Sequence, residues 1–370
     1  MALLYFINNS LVDTTAFEDQ PELQKKATES NGIRLKSETL AHPDVDGVPS
    51  ETPQFQPIGI GKPLSIEIVA MYVGNTISGF LSRKKDVLLV SGVKGIQTFG
   101  ATSKAINYAK KSVEDNDYLE FSATVDSTPI VYYSKAMDTE TTLVSFEFIA
   151  DSFNEAIFQD ISKLFTAAAG IPVFVPAAGY LLGGASLIKT AGELGNTLFA
   201  KTPFLGDTLT IRFGSPLFPI TQSQLMLICN DKDVAELKSH TIKVLDMDSG
   251  KVRARLVDSN GSEYTGDAPY LIISLDGRER TDLEQFTPTL ASAALLQQFY
   301  GNDDVSGQIT SSLQDALKLY SDSVYNKKAD DLKKKLASLP STTDEFKKAK
   351  QLFDAYNQNI NNDAFKVKLP

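Results

Sequence analysis

The 370-residue chain contains one cysteine, two histidines and no tryptophan. A single cysteine, Cys229, excludes a disulfide within the chain, and this usage is typical of a cytoplasmic protein. With so few thiols and imidazoles, a zinc site would need carboxylate ligands almost throughout. The sequence also lacks the spacings of a P-loop, a dinucleotide-binding loop, an H-E-x-x-H helix and a G-x-S-x-G nucleophile turn. It therefore favours a non-enzymatic protein, with a hydrolase as an alternative.

Positive charge is scarce, since 36 Lys and Arg stand against 46 Asp and Glu and the net charge is −10. Binding to nucleic acid without sequence preference depends on a basic surface, so we expect no nucleic-acid partner. The first twenty residues lack the basic start and the long apolar run of a signal peptide, so none is expected. Hydrophobic residues make up 42% of the chain, which is enough for a full core.

One long stretch, residues 164–188, has no charged residue at all. Such a segment must be packed inside protein or placed in a bilayer, because its exposure to water is too costly. Pro172 and Pro176 would break a helix, so we predict two short helices around an extended piece at 171–175. We expect a buried apolar insertion, 164–200, beneath flanking strands. The alternative is a membrane-acting, bilayer-inserting effector, whose lipid-facing residues would include Phe174, Leu181, Leu182 and Leu187.

Short β-branched segments separated by turn residues fill much of the chain. Leu64–Val73, Leu225–Cys229 and Tyr270–Leu275 are predicted strands, and the last two have the continuous apolar character of central strands. Ala101–Lys111 is predicted as a short helix, with its lysines at the C-terminal end. Many short strands with frequent turns favour an α+β fold whose β-rich part is an antiparallel sandwich or curled sheet.

The C-terminal third changes to an apolar period of three and four residues. Phe346, Phe353 and Tyr356 fit the heptad pattern of a helix pair, and a similar stripe precedes Pro340. Thr342 stands three residues before a glutamate, which is the spacing of a capping box. We therefore predict a C-terminal helical hairpin.

The predicted organisation has four parts. These are an N-terminal strand and helix segment at 1–36, a flexible acidic and Pro-rich loop at 37–57, a β-rich core at 58–286 that contains the apolar insertion, and a C-terminal helical region at 287–370.

The leading functional prediction is a cytoplasmic protein-interaction or scaffold protein. Long amphipathic helices can bind another protein along an apolar face, so we expect a protein partner at the hairpin. Packing of the hairpin on the sheet is an equally weighted alternative. The predicted partner-binding residues are Leu313, Leu317, Tyr320, Phe346, Phe353 and Tyr356.

Four residues are weak catalytic candidates. Cys229 and His240 would form a nucleophile pair if their side chains met. However, Cys229 ends an apolar strand, where a buried and inert thiol is the usual outcome. Asp276 and Glu279 follow a buried strand and could serve in acid–base chemistry. We favour an ion-paired turn there, because arginines alternate with these carboxylates.

A calcium site is the only candidate for a cofactor. Asp246 and Asp248 resemble a fragment of a calcium-binding loop, and Asp231 and Asp233 are nearby acidic turn residues. The full EF-hand pattern fails, because a third ligand and a closing glutamate are missing at the required spacing. Structural turns are therefore favoured, and no cofactor is expected.

Overall fold

The computed structural model describes residues 2–7, 10–13, 56–76, 84–94, 103–122, 125–139, 141–168, 173–174, 201–212, 224–245, 253–283, 286 and 311–369. Strands contain more of these residues than helices do, and every pairing between the named strands is antiparallel. A pair of helices follows at the C-terminus. The prediction of an α+β, antiparallel and β-rich fold is confirmed at this level.

The larger sheet has seven strands, numbered here in chain order with the rest. They are β1 (Ala2–Ile7), β2 (Ser10–Asp13), β3 (Leu64–Tyr72), β6 (Tyr118–Leu119), β8 (Ile130–Ser134), β12 (Gln224–Cys229) and β15 (Tyr270–Asp276). Their order is β2-β1-β12-β15-β3-β6, and β8 also pairs with β3. β12 and β15 lie side by side in the interior of the sheet and are buried on both faces, as their apolar sequences predict. β1 pairs with β12, so the N-terminal strand joins this sheet.

The second sheet has six strands. They are β4 (Lys85–Lys94), β5 (Ser103–Val113), β7 (Asp126–Ser127), β9 (Thr141–Asp151), β10 (Val173–Phe174) and β11 (Leu205–Arg212). Their order is β10-β5-β4-β9-β11, and β7 also pairs with β5. Helix α1 (Glu155–Ala168) packs Ile161 and Leu164 against Leu88 and Val90 of β4. One face of this sheet is therefore covered by a helix.

Two clusters of buried apolar side chains cover the two faces of the seven-stranded sheet. The largest contains Met226 and Ile273 from the seven-stranded sheet and Leu89 and Phe146 from the six-stranded sheet. A second cluster covers the other face of β12 and β15 with side chains from helix α2 (Val234–Leu237) and from a separate strand pair, β13 (Thr241–Leu245) and β14 (Arg253–Val257). We call the two sheets with α1, α2 and this strand pair the body.

The predicted helix at Ala101–Lys111 is wrong, because this segment forms β5. The register of β5 against β4 shifts between Tyr108 and Ile106, which leaves Asn107 as an extra residue in a β-bulge. Ala105 and Tyr108 consequently face the largest cluster, between the sheets. Ile106 and Ala109 face the cluster beneath α1. The bulge thus gives a strand the three-residue spacing of a helix.

The described residues cover only part of the apolar insertion 164–200. α1 continues to Ala168, and β10 pairs with β5 inside the segment predicted to be extended. The second predicted helix lies outside the described residues. Within the described ranges, no helix is both long and apolar enough to cross a bilayer.

The C-terminal hairpin is confirmed as α3 (Ser311–Ser338) and α4 (Asp344–Asn359). The predicted cap is displaced by one residue, since Thr343 rather than Thr342 precedes α4 and its hydroxyl accepts a hydrogen bond from Phe346 N at 3.2 Å. After α4 the chain turns back across the hairpin, where Asn357 Nδ2 donates to Val367 O at 2.9 Å.

Candidate functional site at the helical hairpin

An apolar surface on α3 distinguishes the hairpin from the rest of the described chain. Leu319 is 46% exposed and Tyr320 is 48% exposed, and they are the only large hydrophobic residues that lie exposed among the described residues. We call this surface the Leu319–Tyr320 face. Tyr320 was predicted as a partner-binding residue. Leu319 was missed, because the 3-4 pattern runs through its neighbour.

The other predicted partner-binding residues are arranged differently. Phe353 is buried against Ala329 and Leu336 of α3, with Phe346 and Tyr356 partly buried beside it. These three aromatic side chains therefore close the hairpin and do not form its outer surface. Leu313 and Leu317 belong to α3, but their side chains are not among those that the structure describes.

The hairpin meets the body at a short segment that follows β8. Asn359 Nδ2 at the end of α4 donates to Ala136 O at 2.7 Å. The next residue, Met137, exchanges backbone hydrogen bonds of 2.8 Å with Gly61 and Lys62. We call the contacts of Ala136 and Asp138 with the two helices the joint.

A buried carboxyl group lies in the joint. Asp138 is 1% exposed, and neither of its side-chain oxygens has a hydrogen-bond partner. Burial raises the pKa of this carboxyl from its usual 3.8 to about 6, although the Tyr325 hydroxyl and the Lys328 ammonium of α3 act in the opposite direction. Lys328 makes no hydrogen bond to either oxygen of Asp138, although its charge acts on this carboxyl. Asp138 is therefore a poorly compensated acid.

The two groups of α3 that face Asp138 also have shifted pKa values. Burial lowers the pKa of Lys328, whose Nζ lies 5.8 Å from the centroid of the Tyr325 ring and 5.4 Å from that of Tyr356. Burial also raises the pKa of Tyr325, and its hydroxyl lacks a hydrogen bond of good geometry. The joint thus places charged and polar groups in a water-poor interface without pairing them fully.

A second buried carboxylate in the hairpin is fully satisfied. Asp322 Oδ1 accepts hydrogen bonds from Asn361 N at 2.9 Å and Asn361 Nδ2 at 3.3 Å, and Oδ2 accepts from Asn362 N at 2.9 Å. These bonds tie the chain that leaves α4 to the middle of α3. Asp322 has a structural role, in contrast to Asp138.

Among the described residues of the body, four tyrosines form the largest aromatic group. The Tyr72 ring lies 4.7 Å from Tyr118, 5.3 Å from Tyr270 and 5.4 Å from Tyr264 between centroids. Tyr72 Oη donates to Gly266 O at 2.8 Å, and Tyr118 Oη donates to Tyr264 O at 2.7 Å. Because burial raises the pKa of all four hydroxyls and each has a partner, this group fixes loops onto β3 and β15 and has no free acid or base.

The predicted nucleophile pair is not assembled. Cys229 is fully buried in β12, and burial raises the pKa of its thiol to about 12. His240 Nδ1 lies 3.0 Å from Ser239 Oγ and 3.2 Å from Glu236 O, and its ring packs on Tyr264. No hydrogen bond connects Cys229 with His240 among the residues described.

We expect Cys229 to resist alkylation in the folded protein. Iodoacetamide attacks the thiolate, and this thiol is both buried and strongly protonated. The alkylation rate at neutral pH should be at least about 100-fold lower in native buffer than in denaturant. Mass spectrometry of the labelled cysteine peptide measures both rates. Equal rates would contradict the buried position and support the nucleophile hypothesis.

The predicted acid–base pair is divided between two environments. Asp276 Oδ1 accepts hydrogen bonds from Gln56 N at 2.9 Å and Arg278 N at 3.1 Å, and its other oxygen pairs with the Arg278 guanidinium. Glu279 is exposed. Arg280 pairs with Asp282 at 2.7 Å and with Glu67. This arrangement is that of an ion-paired turn which anchors residues 56–58 to β15.

The calcium candidates do not form a described site. Asp231 and Asp233 lie in a single 3-10 turn after β12, and Asn230 Nδ2 donates to Asp233 Oδ2 at 3.2 Å. Asp246 and Asp248 lie outside the described residues. Within the part that the structure describes, no three His, Cys, Asp or Glu side chains are grouped as metal ligands would be.

Of the predicted membrane residues, Phe174 alone lies among the described residues. Phe174 is in β10, where it pairs with Ala105 of β5 at the edge of the six-stranded sheet. Leu181, Leu182 and Leu187 lie outside the described residues.

No protein-family model matches the sequence, and no curated protein is significantly similar to it. The function of the chain is therefore inferred from its own side chains and contacts. Two features stand out, namely the Leu319–Tyr320 face on the hairpin and the unpaired carboxyl group of Asp138 where the body meets the hairpin. Sequence patterns predicted Tyr320 but not Asp138, Tyr325 or Lys328.

Proposed function

We propose that the protein is a non-enzymatic interaction protein, in which a β-rich body presents a C-terminal helical hairpin to a protein partner. The exposure of Leu319 and Tyr320 carries this proposal. Monomeric surfaces do expose single apolar side chains, but adjacent large ones on a rigid helix are typical of contact surfaces. Tyrosine is also among the residues that contribute most to binding.

The helical geometry indicates what such a partner presents. Tyr320, the partly buried Val324 and the exposed Lys327 follow one another at helical steps of four and three residues. An amphipathic helix from another protein, with acidic residues beside its apolar face, would match this row. The hairpin keeps these three residues in a fixed arrangement, because the aromatic side chains of α4 pack against α3.

Two finer features belong to the same proposal. We propose that the two sheets pack face to face as a sandwich, which the shared membership of the largest buried cluster supports. We also propose a cytoplasmic location, supported by the single buried cysteine.

Changing the Leu319–Tyr320 face should abolish partner binding. Affinity purification from the native host would compare the full-length wild type with a Leu319→Ser, Tyr320→Ser double variant. Loss of two central apolar contacts should lower the yield of a specific partner by at least about tenfold. Lys334→Ser, at an exposed position further along α3, is the matched control and should retain the partner.

Two outcomes would overturn the proposal. The first is recovery of the same proteins in the same amounts with the wild type and the double variant. The second is self-association through this face, seen as a mass by light scattering that falls to the monomer value in the double variant alone. That result would replace the heterologous partner with a second copy.

A further inference from the structure

A buried acid at a contact between two structural units costs free energy when it is charged, unless a cation or hydrogen-bond donors compensate it. Asp138 is such an acid, because it is 1% exposed and neither of its oxygens accepts a hydrogen bond of good geometry, although the Tyr325 hydroxyl lies near enough to oppose the rise of its pKa. It also lies where the hairpin touches the body. The cost of its charge is therefore borne by the joint rather than by either unit alone.

We propose that Asp138 is a conformational switch that weakens the joint when its carboxyl is charged and strengthens the joint when it is protonated. Opening of the joint would let water reach the carboxylate and remove the cost of burial. The switch does not depend on the identity of any partner, since it concerns only the contact between the hairpin and the body.

Titratable groups face Asp138 from three elements of the joint. Tyr132 approaches from β8, and its hydroxyl donates to Met137 Sδ at 3.9 Å. Tyr325 and Lys328 face it from α3, and Tyr356 faces it from α4. Three of these groups are neutral phenols, so Lys328 alone provides a positive charge, and its own pKa is lowered by burial.

The sign of the pH dependence follows from the direction of the shift. The pKa of Asp138 is about 6 in the closed joint and returns toward 3.8 once the joint opens. The closed joint thus binds the proton more tightly than the open joint does. Protonation of Asp138 therefore stabilises the closed joint. This stabilisation is complete below about pH 4 and is lost as the pH rises through about 6. A shift of this size makes the charged joint open about 100-fold more readily than the protonated joint.

Hydrogen exchange of the full chain tests the switch. In the wild type, protection factors of amides in the joint, at 321–330 and 353–359, should fall about 25-fold between about pH 4.5 and about pH 7.5, after correction for intrinsic exchange. Amides of β12 and β15 provide the internal reference and should not follow this trend. The Asp138→Asn variant, which stays neutral, should protect the joint more than about 100-fold better than the wild type at about pH 7.5 and only about sixfold better at about pH 4.5.

Asp330→Asn is the matched control. Asp330 lies on α3, the helix that carries Tyr325 and Lys328, pairs with Lys334 at 2.7 Å near the surface, and should leave the exchange of the joint unchanged. Lower protection in Asp138→Asn at both pH values would overturn the proposal, because the charge would then stabilise the joint. A flat wild-type profile would also overturn it. An equal change at β12 and β15 would overturn it too, since Asp138 would then act on the whole fold.

Discussion

Replacing Asp322 with alanine should lower the free energy of unfolding of the chain by about 3 kcal/mol. The variant loses three hydrogen bonds to a buried carboxylate, and it leaves the backbone N–H groups of Asn361 and Asn362 without that acceptor. The chain beyond α4 would then detach from α3, together with the contacts of Val367. Urea unfolding followed by far-UV circular dichroism measures the effect, which suits a chain without tryptophan.

Two further variants give this prediction its control. Asp322→Asn keeps one acceptor oxygen but turns an amide toward an N–H donor, so its loss of stability should be intermediate. Asp330→Ala removes an exposed carboxylate of the same helix and should leave the unfolding curve in place. If Asp322→Ala were as mild as Asp330→Ala, the three hydrogen bonds would not hold the hairpin closed.

Asp322, inside the hairpin, and Asp138, at the joint, show how the same group can act in opposite ways at two different contacts. Asp322 accepts hydrogen bonds at both of its oxygens, and these bonds fix the chain that leaves α4. Asp138 receives no such donor and therefore makes its charged form costly. A hairpin that is firmly closed in itself but conditionally attached to the body is the consequence of this difference.

Most strands could be predicted because their apolar residues follow the strand period or form continuous buried segments. Leu225–Cys229 and Tyr270–Leu275 lie almost entirely in β12 and β15, since both faces of these strands are buried and no polar position interrupts them. β5 was mistaken for a helix because a bulge at Asn107 changes the spacing of its buried side chains. A bulge depends on the partner strand, which the local sequence does not reveal.

The helical hairpin was predictable for the same reason, but its surfaces were not. A heptad pattern places Phe353 and Tyr356 on one side of α4 without saying whether α3 or another protein covers them. The structure places them against α3, whereas Leu319 and Tyr320 remain exposed.

No sequence pattern predicts that Asp138, Tyr325 and Lys328 come together at the joint. Asp138, in the segment after β8, meets Tyr325 and Lys328 only through tertiary folding, and acidic turn residues are common for local reasons.

Gly74→Ala should have the largest effect of the single substitutions considered, a loss of about 4 kcal/mol in the free energy of unfolding. Gly74 follows β3 with φ of +56°, a region that costs alanine about 1–2 kcal/mol. A β-carbon there would also lie 2.7 Å from Pro269 N and closer still to Asp267 O. This loop cannot move away easily, because Tyr72 donates to its Gly266 O and Asn75 N donates to Asp267 O at 3.0 Å.

Gly261→Ala separates the two contributions, because Gly261 has a similar φ of +82° but no atom within 4 Å of an added β-carbon. It should pay only the conformational cost, about 1 kcal/mol. Differential scanning calorimetry and urea unfolding on both variants would measure the difference, which we attribute to the close approach of the β3 exit to residues 266–269. Equal losses in the two variants would show that this loop yields, and that the four tyrosines do not hold it in place.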